Sequence, residues 1–595
     1  MYTTDKQLSD RIYEMELSEL RRLAEECLTA VSSQCTDVKR FHSYYDGKVL
    51  VEVSVSLGED GLPIKEWRLP PFMRNICYEN IESIVDTSIP SPVIRAKYSR
   101  DQTLAKSAEA LCMLFRDESQ RVLENDNAER IASIEGSVGY LIEWDAQREK
   151  PKITVLNTDF IVPQRGIWTD LEDMDYFFLR IPVSKSFVYK QYGIDVKDES
   201  EEDSKIGAEN SMDTGNVTLW HCFWKSRENV VGLRSWVNDV ELENRKNYYA
   251  RIDDDGNPAK ERIFNIGLME QGIVAEVAVP HYNPNVYPVV WRKNVSKGKD
   301  FYGYSDVELI IQNQNTINRI YTRAYERLLR SGDILALPES ANIKLRESDQ
   351  VIYMTIQEKT GTNVITLSGD ISELSNAAEM TYQHSRQMLG INDSYQGRRD
   401  STATSGIAKQ ENAARTENRL SSRRDMKNAA FSKIYERIFK LYLAFSEDVI
   451  PTASDVFASS DTSDFSKYDY LEYKGNGTFT YNDNFEFDID ASLPLSHNIR
   501  QRWQEVEAQM SLGRLGDPAA FETRVIYWRL LLRLDYPDAG YMLKLLDEER
   551  ARNEAAAQAQ NQLPPMSDEQ RDIIGAAPTE NIMATPPDEL QKAII

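Results

Sequence analysis

Apolar residues recur at helical spacing at Phe431, Ile434, Ile438, Leu441 and Phe445, with no Gly or Pro between Ile407 and Ile450. The pattern predicts one unbroken helix starting at Thr404-Ser405, on the order of 60 Å long at 1.5 Å per residue. Its first half is polar and basic all round, and only its second half carries an apolar stripe. Such a helix lies half in a core and half out of it. It follows a polar loop with Gln396, Gly397, Arg398 and Arg399, which in turn follows a shorter helix ending at Gly390.

Upstream, residues 8 to 45 read as helical, with Leu8, Ile12, Met15, Leu20 and Leu23 between charges. The stretch from Pro70 reads as a helix that stops at Pro90 and Pro92. Residues 101 to 135 give a long helical pattern, broken by Gly136 and Gly139 before the alternating strand YLIEWD. From Lys152 to about Trp236 the period is mostly two, and strand character continues through residue 294. A second helical run begins after Ser305, a good N-cap, and stops at Gly332; Arg319, Arg323, Arg327 and Arg330 share one of its faces. A small β module fills residues 334 to 369, and a hairpin is expected around Gly475-Asn476-Gly477. Helices resume near residue 497, and the proline-bearing last forty or so residues read as a flexible tail. The simplest fold class is α+β.

A chain of 595 residues exceeds one core and divides into two to four domains. The formal charge of −25 disfavours a tight, static nucleic-acid binder, because phosphate attraction dominates that affinity. It does not exclude a surface that nucleic acid slides past. Charge is also segregated: between Arg386 and Lys440, twelve basic residues face six acidic ones, a local excess of six. That suggests a surface meeting phosphate or a neighbour's acidic face. Five scattered cysteines without a CxxC fit free thiols in a reducing compartment, here a cytoplasm. There is no signal peptide and no run of about 20 apolar residues, so no membrane is expected.

Enzyme motifs are missing. SKGKD at Ser296 is not a P-loop, the five histidines are isolated, and there is no HExxH and no GxSxG. His221-Cys222 in LWHCFW reads as packed core strand rather than a metal pair. Glu486, Asp488 and Asp490 alternate with Phe485, Phe487 and Ile489, which puts three carboxylates on one strand face. They could hold Mg²⁺ or Ca²⁺ in a nucleic-acid-processing enzyme, the alternative reading; a solvated strand face explains them without a metal. No catalytic residues, cofactor or metal are assigned.

The order FYGYSDVELIIQNQNTINRIYTRAYERLLRSGDILALP, β module, short helix, GINDSYQGRRDSTATSGIAKQENAA and long helix resembles the central part of tailed-bacteriophage portal proteins. The shared features are G-x-S-[DE], a helix with a mid-length Asn (Asn315 or Asn318), and a polar loop before Ser405, Gly406, Ile407 and Ala408. NICYENIESIVDTSIPSPV is similar to the family's N-terminal helix. The resemblance covers residues 75 to 95 and 300 to 445; the acidic stretch around 195 to 215 and the strands of 215 to 290 are less typical. It implies a subunit with wing, stem, clip and crown and a long central spine helix. By it, 1–300 and 405–496 would be wing, 301–331 and 371–390 stem helices, 332–370 clip, 391–404 tunnel loop, 497–555 crown and 556–595 tail. It further implies a ring, usually of twelve subunits, at one capsid vertex of the virion. Double-stranded DNA would pass its channel, and its partners would be the terminase large subunit, head-completion or adaptor proteins, and major capsid and scaffolding proteins. Gln396, Arg398 and Arg399 would face DNA. Arg319, Arg323, Arg327, Arg330, Arg415, Arg419 and Arg423 would serve the channel or subunit interfaces, the last three meeting a neighbour's acids.

Overall fold

Two helices, α1 (Leu17–Ala30) and α2 (Ser32–Tyr45), open the chain and are followed by a hairpin of β1 (Val51–Leu57) and β2 (Pro63–Arg68). The computed structural model describes residues 9, 11–57, 63–70, 72–196, 216–226, 230–250, 263–268, 273–278, 282–330, 332–338, 352–356, 363–367, 371–391, 406–447, 449–451, 464–473, 479–489, 499–534, 536 and 538–561. They belong to two units, Met1–Ile499 and Arg500–Ile595. In the first unit a short helix, α3 (Ile76–Glu82), starts where the Asn75 side chain accepts the Tyr78 amide hydrogen. Strand β3 (Pro92–Ala96) leads to α4 (Gln102–Arg116) and α5 (Ser119–Glu135), then to β4 (Ser137–Asp145) and β5 (Lys150–Leu156). Strands β6 (Ile161–Pro163), β7 (Tyr176–Ser184), β8 (Asn216–Lys225), β9 (Val231–Val237) and β10 (Val240–Arg245) make an antiparallel five-stranded sheet in chain order. Helix α6 (Lys185–Tyr192) interrupts it after β7. A hairpin of β11 (Ile263–Leu268) and β12 (Ile273–Ala278) precedes β13 (Val289–Lys293), which joins β4 and β5 in a second sheet.

Helix α7 (Asp306–Arg330) comes next. After it, β14 (Gly332–Pro338), β15 (Ile352–Ile356) and β16 (Asn363–Leu367) form a three-stranded sheet with β14 central, parallel to β15 and antiparallel to β16. Helix α8 (Ser372–Leu389) and the 40-residue α9 (Gly406–Phe445) follow. Strands β17 (Leu471–Tyr473) and β18 (Phe479–Tyr481) form the expected hairpin, and β19 (Phe485–Ile489) pairs with β3; the hairpin's Gly475–Gly477 turn lies outside the described residues. The second unit is helical: α10 (Ile499–Ser511), α11 (Phe521–Arg533) and α12 (Ala539–Asn561). Leu531, Leu534, Leu543 and Leu546 are its buried centre, and Trp503 Nε1 donates to the Leu534 carbonyl at 2.9 Å. No helix among the described residues is long and apolar enough to cross a membrane.

The stripe read on α9 is core. Phe431, Ile434, Ile438 and Leu441 are buried against α4, α5, β4 and β13, and Phe445 stacks on Trp144. Each fully buried aliphatic side chain here contributes roughly 1.5–3 kcal/mol. Phe439 adds ring contacts to Phe465, Tyr470, Phe485 and Phe487, tying α9 to the strands after it.

Several boundaries differ from the sequence pattern. The helix expected over 8–45 is broken at Val31, whose backbone leaves helical values between α1 and α2. The helix expected over 101–135 is broken at Asp117 and Glu118. Gly136 does end it, at φ +88°, but Gly139 lies inside β4, where a Cβ would collide with Ile161. The helix expected from Pro70 shortens to α3. Hairpin β1–β2 was not anticipated. Nor was α6, although Ser184 accepts the Phe187 amide hydrogen at its start and Gly193 ends it at φ +70°.

One contact fastens α2 to this core. His42 Nε2 lies 2.7 Å from Glu135 Oε1, and that buried carboxylate also accepts from Asn157 Nδ2 (2.8 Å) and the Thr158 amide (2.6 Å). Burial alone would lower the imidazole pKa, but the hydrogen bond and charge of Glu135 outweigh it and raise it. A raised histidine contributes stability that is complete below the unfolded value, about 6.5, and is lost as pH rises through the folded one. The side chain is 37% exposed, so solvent screens the effect. Melting temperatures followed against pH should show wild type above His42→Gln at pH 6, with the gap closing toward pH 9; a gap that widens with pH would contradict the pairing.

Candidate functional site

Helix α7 keeps one face buried as far as Ala324 and is exposed on the other and near its end. Val307, Ile310 and Ile317 are buried, whereas Tyr325 and Leu328 are exposed. Ser305, fully buried, accepts the Glu308 amide hydrogen at 3.2 Å and donates to the Ile134 carbonyl, which pins the helix start to α5. Helix α8 runs back along α7. Leu389 and Ile391 pack with Val307 and Ile310, Tyr382 packs with Ile317, and Asn313 Nδ2 donates to the Thr381 carbonyl at 3.4 Å. The pair is therefore an antiparallel hairpin with a small sheet between its two arms.

Arg319, Arg323 and Arg327 are exposed on the face of α7 that also shows Gln312 and Thr316. Successive arginines at four-residue spacing stand about 6 Å apart along the axis. For Arg330, Arg415 and Arg419 the description stops at helical backbone, and Gln396, Arg398 and Arg399 lie outside the described residues.

Arg423 is a correction. Expected to meet a neighbouring subunit's acid, it meets one of its own chain: Nη2 lies 2.6 Å from Asp306 Oδ1, at the first turn of α7. Asp306 is fully buried, and Asn294 Nδ2 donates to its other oxygen at 3.1 Å. Burial raises the Asp306 pKa, a rise that Arg423 and hydrogen bonds from Asn294 and Ser133 oppose without cancelling. One turn further along α9, buried Lys427 reaches Glu129 Oε1 (3.2 Å) and the Asp86 carbonyl (2.7 Å). Glu129 is gripped by Arg292 through two bonds of 2.5 and 3.0 Å. Burial pushes the Glu129 pKa up, but the two cations more than reverse it and keep the carboxylate ionised. A cavity of about 40 Å³ beside this cluster, lined by Asp86, Ser133, Arg292, Asn294, Arg424 and Lys427 among others, has room for a few waters.

The pattern continues down the helix. Lys433 pairs with Asp170, Arg437 with Glu172 at 2.6 Å, and Lys440 with Glu436 at 2.6 Å. So Arg423, Lys427, Lys433, Arg437 and Lys440, all counted in the basic excess, are answered within the chain. The excess is local in sequence but not in space, because Asp86, Glu129, Asp170, Glu172 and Asp306 come from other segments.

The carboxylates of β19 alternate as expected: Glu486 and Asp488 are exposed, Phe485 and Phe487 partly buried. Asp488 lies 3.5 Å from Arg95, and Asp490 is outside the described residues. No group of three metal-binding side chains occurs among the described residues. Among the described residues, the nearest thing to a nucleophile and base is His221 Nδ1 with Ser235 Oγ, 2.8 Å apart on paired strands. Both are buried, and burial pushes the imidazole down to about 4, so it is a neutral core hydrogen bond. Cys222 beside it is buried as well, and all five cysteines are free thiols.

Asp306, Glu129 and Arg292 were missed in the sequence. A signal existed for Asp306, an acid just after a capping serine on a helix face otherwise made of Val307 and Ile310.

No family model matches the chain, and no curated protein matches it. Among solved structures it is similar to a chain in the neck of a native GTA particle computed with C12 symmetry, at 10% identity, covering 76% of this chain and 89% of that one with a TM-score of 0.32. A chain in the virion of a native gene transfer agent particle gives 11% identity, the same coverages and the same TM-score of 0.32. At that TM-score the likeness is too loose to assign a fold.

Removing one partner of a buried pair leaves the other charge bare, which costs more than the pair contributes. Arg423→Met should destabilise the first unit by about 3 kcal/mol, the low end for such a loss because Arg423 keeps some exposure. Adding Asp306→Asn to it should recover at least half of that in denaturant unfolding. Strict additivity of the two losses would show that the groups do not interact.

Proposed function

We propose that this chain is the portal subunit of a tailed bacteriophage: one copy in a ring at a single capsid vertex, through which DNA is packaged and ejected and on which terminase and tail or adaptor proteins dock. The observation that carries the reading is the α7–sheet–α8 hairpin, rooted in an α+β body and followed directly by the segment 391–404 and the 40-residue α9. In this reading α7 and α8 are the stem, the β14–β16 sheet the clip, residues 391–404 the tunnel loop, α9 the wing's spine, and α10 to α12 the crown.

Charge supports it from a second direction. A conduit must bind DNA weakly enough for the duplex to move. A chain of net charge −25 repels phosphate at long range, and localised arginines on α7 and in the tunnel loop give short, screened contacts. Repetition around a ring makes such contacts collectively significant while each stays easily broken. Of the arginines first considered, Arg319, Arg323 and Arg327 keep this role, with Gln396, Arg398 and Arg399 at the loop. Arg415 and Arg419 keep the subunit-interface role. Arg423 does not.

Electron microscopy of the purified protein should show closed rings with a central hole; monomers or open filaments would sink the reading. Given rings, Arg398→Ala with Arg399→Ala should leave assembly intact and alter DNA packaging or retention. Assembly lost while residual rings package normally would remove the two arginines from the DNA-facing role.

A further inference from the structure

Where α7 meets α3 and α8, the buried face is polar in a place where packed helices are usually apolar. Gln314, Asn318 and Thr322 follow at four-residue spacing on α7, at 1%, 0% and 5% exposure. They form one ridge along the helix. Gln314 Oε1 accepts the amide hydrogens of Ile76 (2.8 Å) and Cys77 (3.3 Å), serving N–H groups at the start of α3 that no helical carbonyl can reach. Its amide nitrogen donates to the Arg74 carbonyl (2.9 Å) and to Asn318 Oδ1 (2.8 Å), and Thr322 Oγ1 donates to the Asn318 carbonyl (2.8 Å). Across the seam, Asn80 Nδ2 donates to Ser385 Oγ at 3.1 Å, and Ser385 Oγ donates to the Tyr382 carbonyl at 2.7 Å.

The network is incomplete: Asn318 Nδ2 and Asn80 Oδ1, both buried, have no hydrogen-bond partner among the described residues. An apolar ridge of the same shape would avoid that penalty. What a polar ridge adds is position. The buried apolar residues of this helix are Val307, Ile310, Ile311, Ile317 and Ala324, with Tyr321 partly buried beside Ile317. At a slide of one turn, about 5.4 Å, Ile311 can take the place of Val307 and Tyr321 that of Ile317, and α8 and α3 still find apolar partners. Only one alignment sets the Gln314 carbonyl against the α3 amides and Asn80 against Ser385. The nearest competitor is also visible, since Asn318 offers a second amide one turn beyond Gln314.

We propose that the Gln314–Asn318–Thr322 ridge is a register device, which fixes the axial position of α7 against α3, and through the Asn80–Ser385 bond against α8, at the expense of stability. The β14–β16 sheet, carried between the far ends of α7 and α8, inherits its position from that register. The device belongs to a single chain and is tested on one, so it stands or falls separately from the portal reading.

Paired cysteines read the register. In the full-length chain with its wild-type ridge, Asn313→Cys with Thr381→Cys should be joined by a short bismaleimide. Asn313→Cys with Ala377→Cys, displaced by one turn, should not. In a Gln314→Leu/Asn318→Leu background the displaced pair should close to about a tenth of the native yield or more, with no fall in melting temperature. Closure of the native pair alone in that background would overturn the proposal, since apolar packing would then set the register. So would a fall in melting temperature with the native pair unchanged, which is a purely stabilising role. If the double variant does not fold, Asn318→Leu alone is read by the same pairs and criteria, and failure of both to fold would count as the stabilising role.

Discussion

A buried charge must be matched, and in this protein that requirement joins segments far apart in the chain. The fully buried Asp306 carboxylate opens α7, and Arg423 of α9 lies 2.6 Å from it. Lys427, one turn on, meets Glu129 from α5, which Arg292 of β13 also holds. Neither helix can shift by a turn without stripping a partner from a buried acid. The base of the α7–α8 hairpin and the middle of the long helix are thereby held to one frame. Gly136 and Gly303 tighten the same place, because a Cβ on Gly303 would collide with the Gly136 carbonyl. Apolar burial supplies most of the energy that holds α9 in the core, but it is the ion pairs that make its axial position specific.

That distinction explains which features could be read from the sequence. Signals set by neighbours in the chain were legible: the stripe from Phe431 to Phe445, the Ser305 cap, the Gly390 stop and the hairpin around residue 476. Signals that depend on what an element packs against were not. Arg423 and Lys427 read as a surface patch because a window of residues counts charge along the chain, whereas Asp306, Glu129 and Asp86 approach them from more than a hundred residues away. The breaks at Val31 and at Asp117 had no Gly or Pro to announce them, since a helix can end simply where its apolar face turns away from the core. Helix α6 is a different kind of miss. Its cap and stop were both present, but eight residues inside a stretch of period two are too few to outweigh the surrounding pattern.

The candidate site divides the same way. Arg319, Arg323 and Arg327 were identified from spacing alone, and the helix does present them outward; what spacing could not say is that the opposite face stays buried there, at Thr322 and Ala324. For the lower arginines, chain-local reasoning overestimated the charge available for DNA or a neighbouring subunit. Fewer cations remain for any partner than the count along the chain suggested, because Arg423, Lys427, Lys433, Arg437 and Lys440 are matched by acids of the same chain. Fewer free cations suit a conduit better than many, because each firm phosphate contact would slow the duplex.

The two kinds of polar burial along α7 then have different mechanical consequences. At its root the contacts are full charges, matched by opposite charges and expensive to separate. Higher up, Gln314, Asn318 and Thr322 are neutral groups whose hydrogen bonds select one register but cost less to break than a buried ion pair. A helix anchored by charge at one end and by neutral amides along its length transmits force well toward the root. It yields first along the seam. Any displacement of the small sheet carried by the hairpin would therefore begin between α7 and α8, with the ionic junction acting as the fixed point.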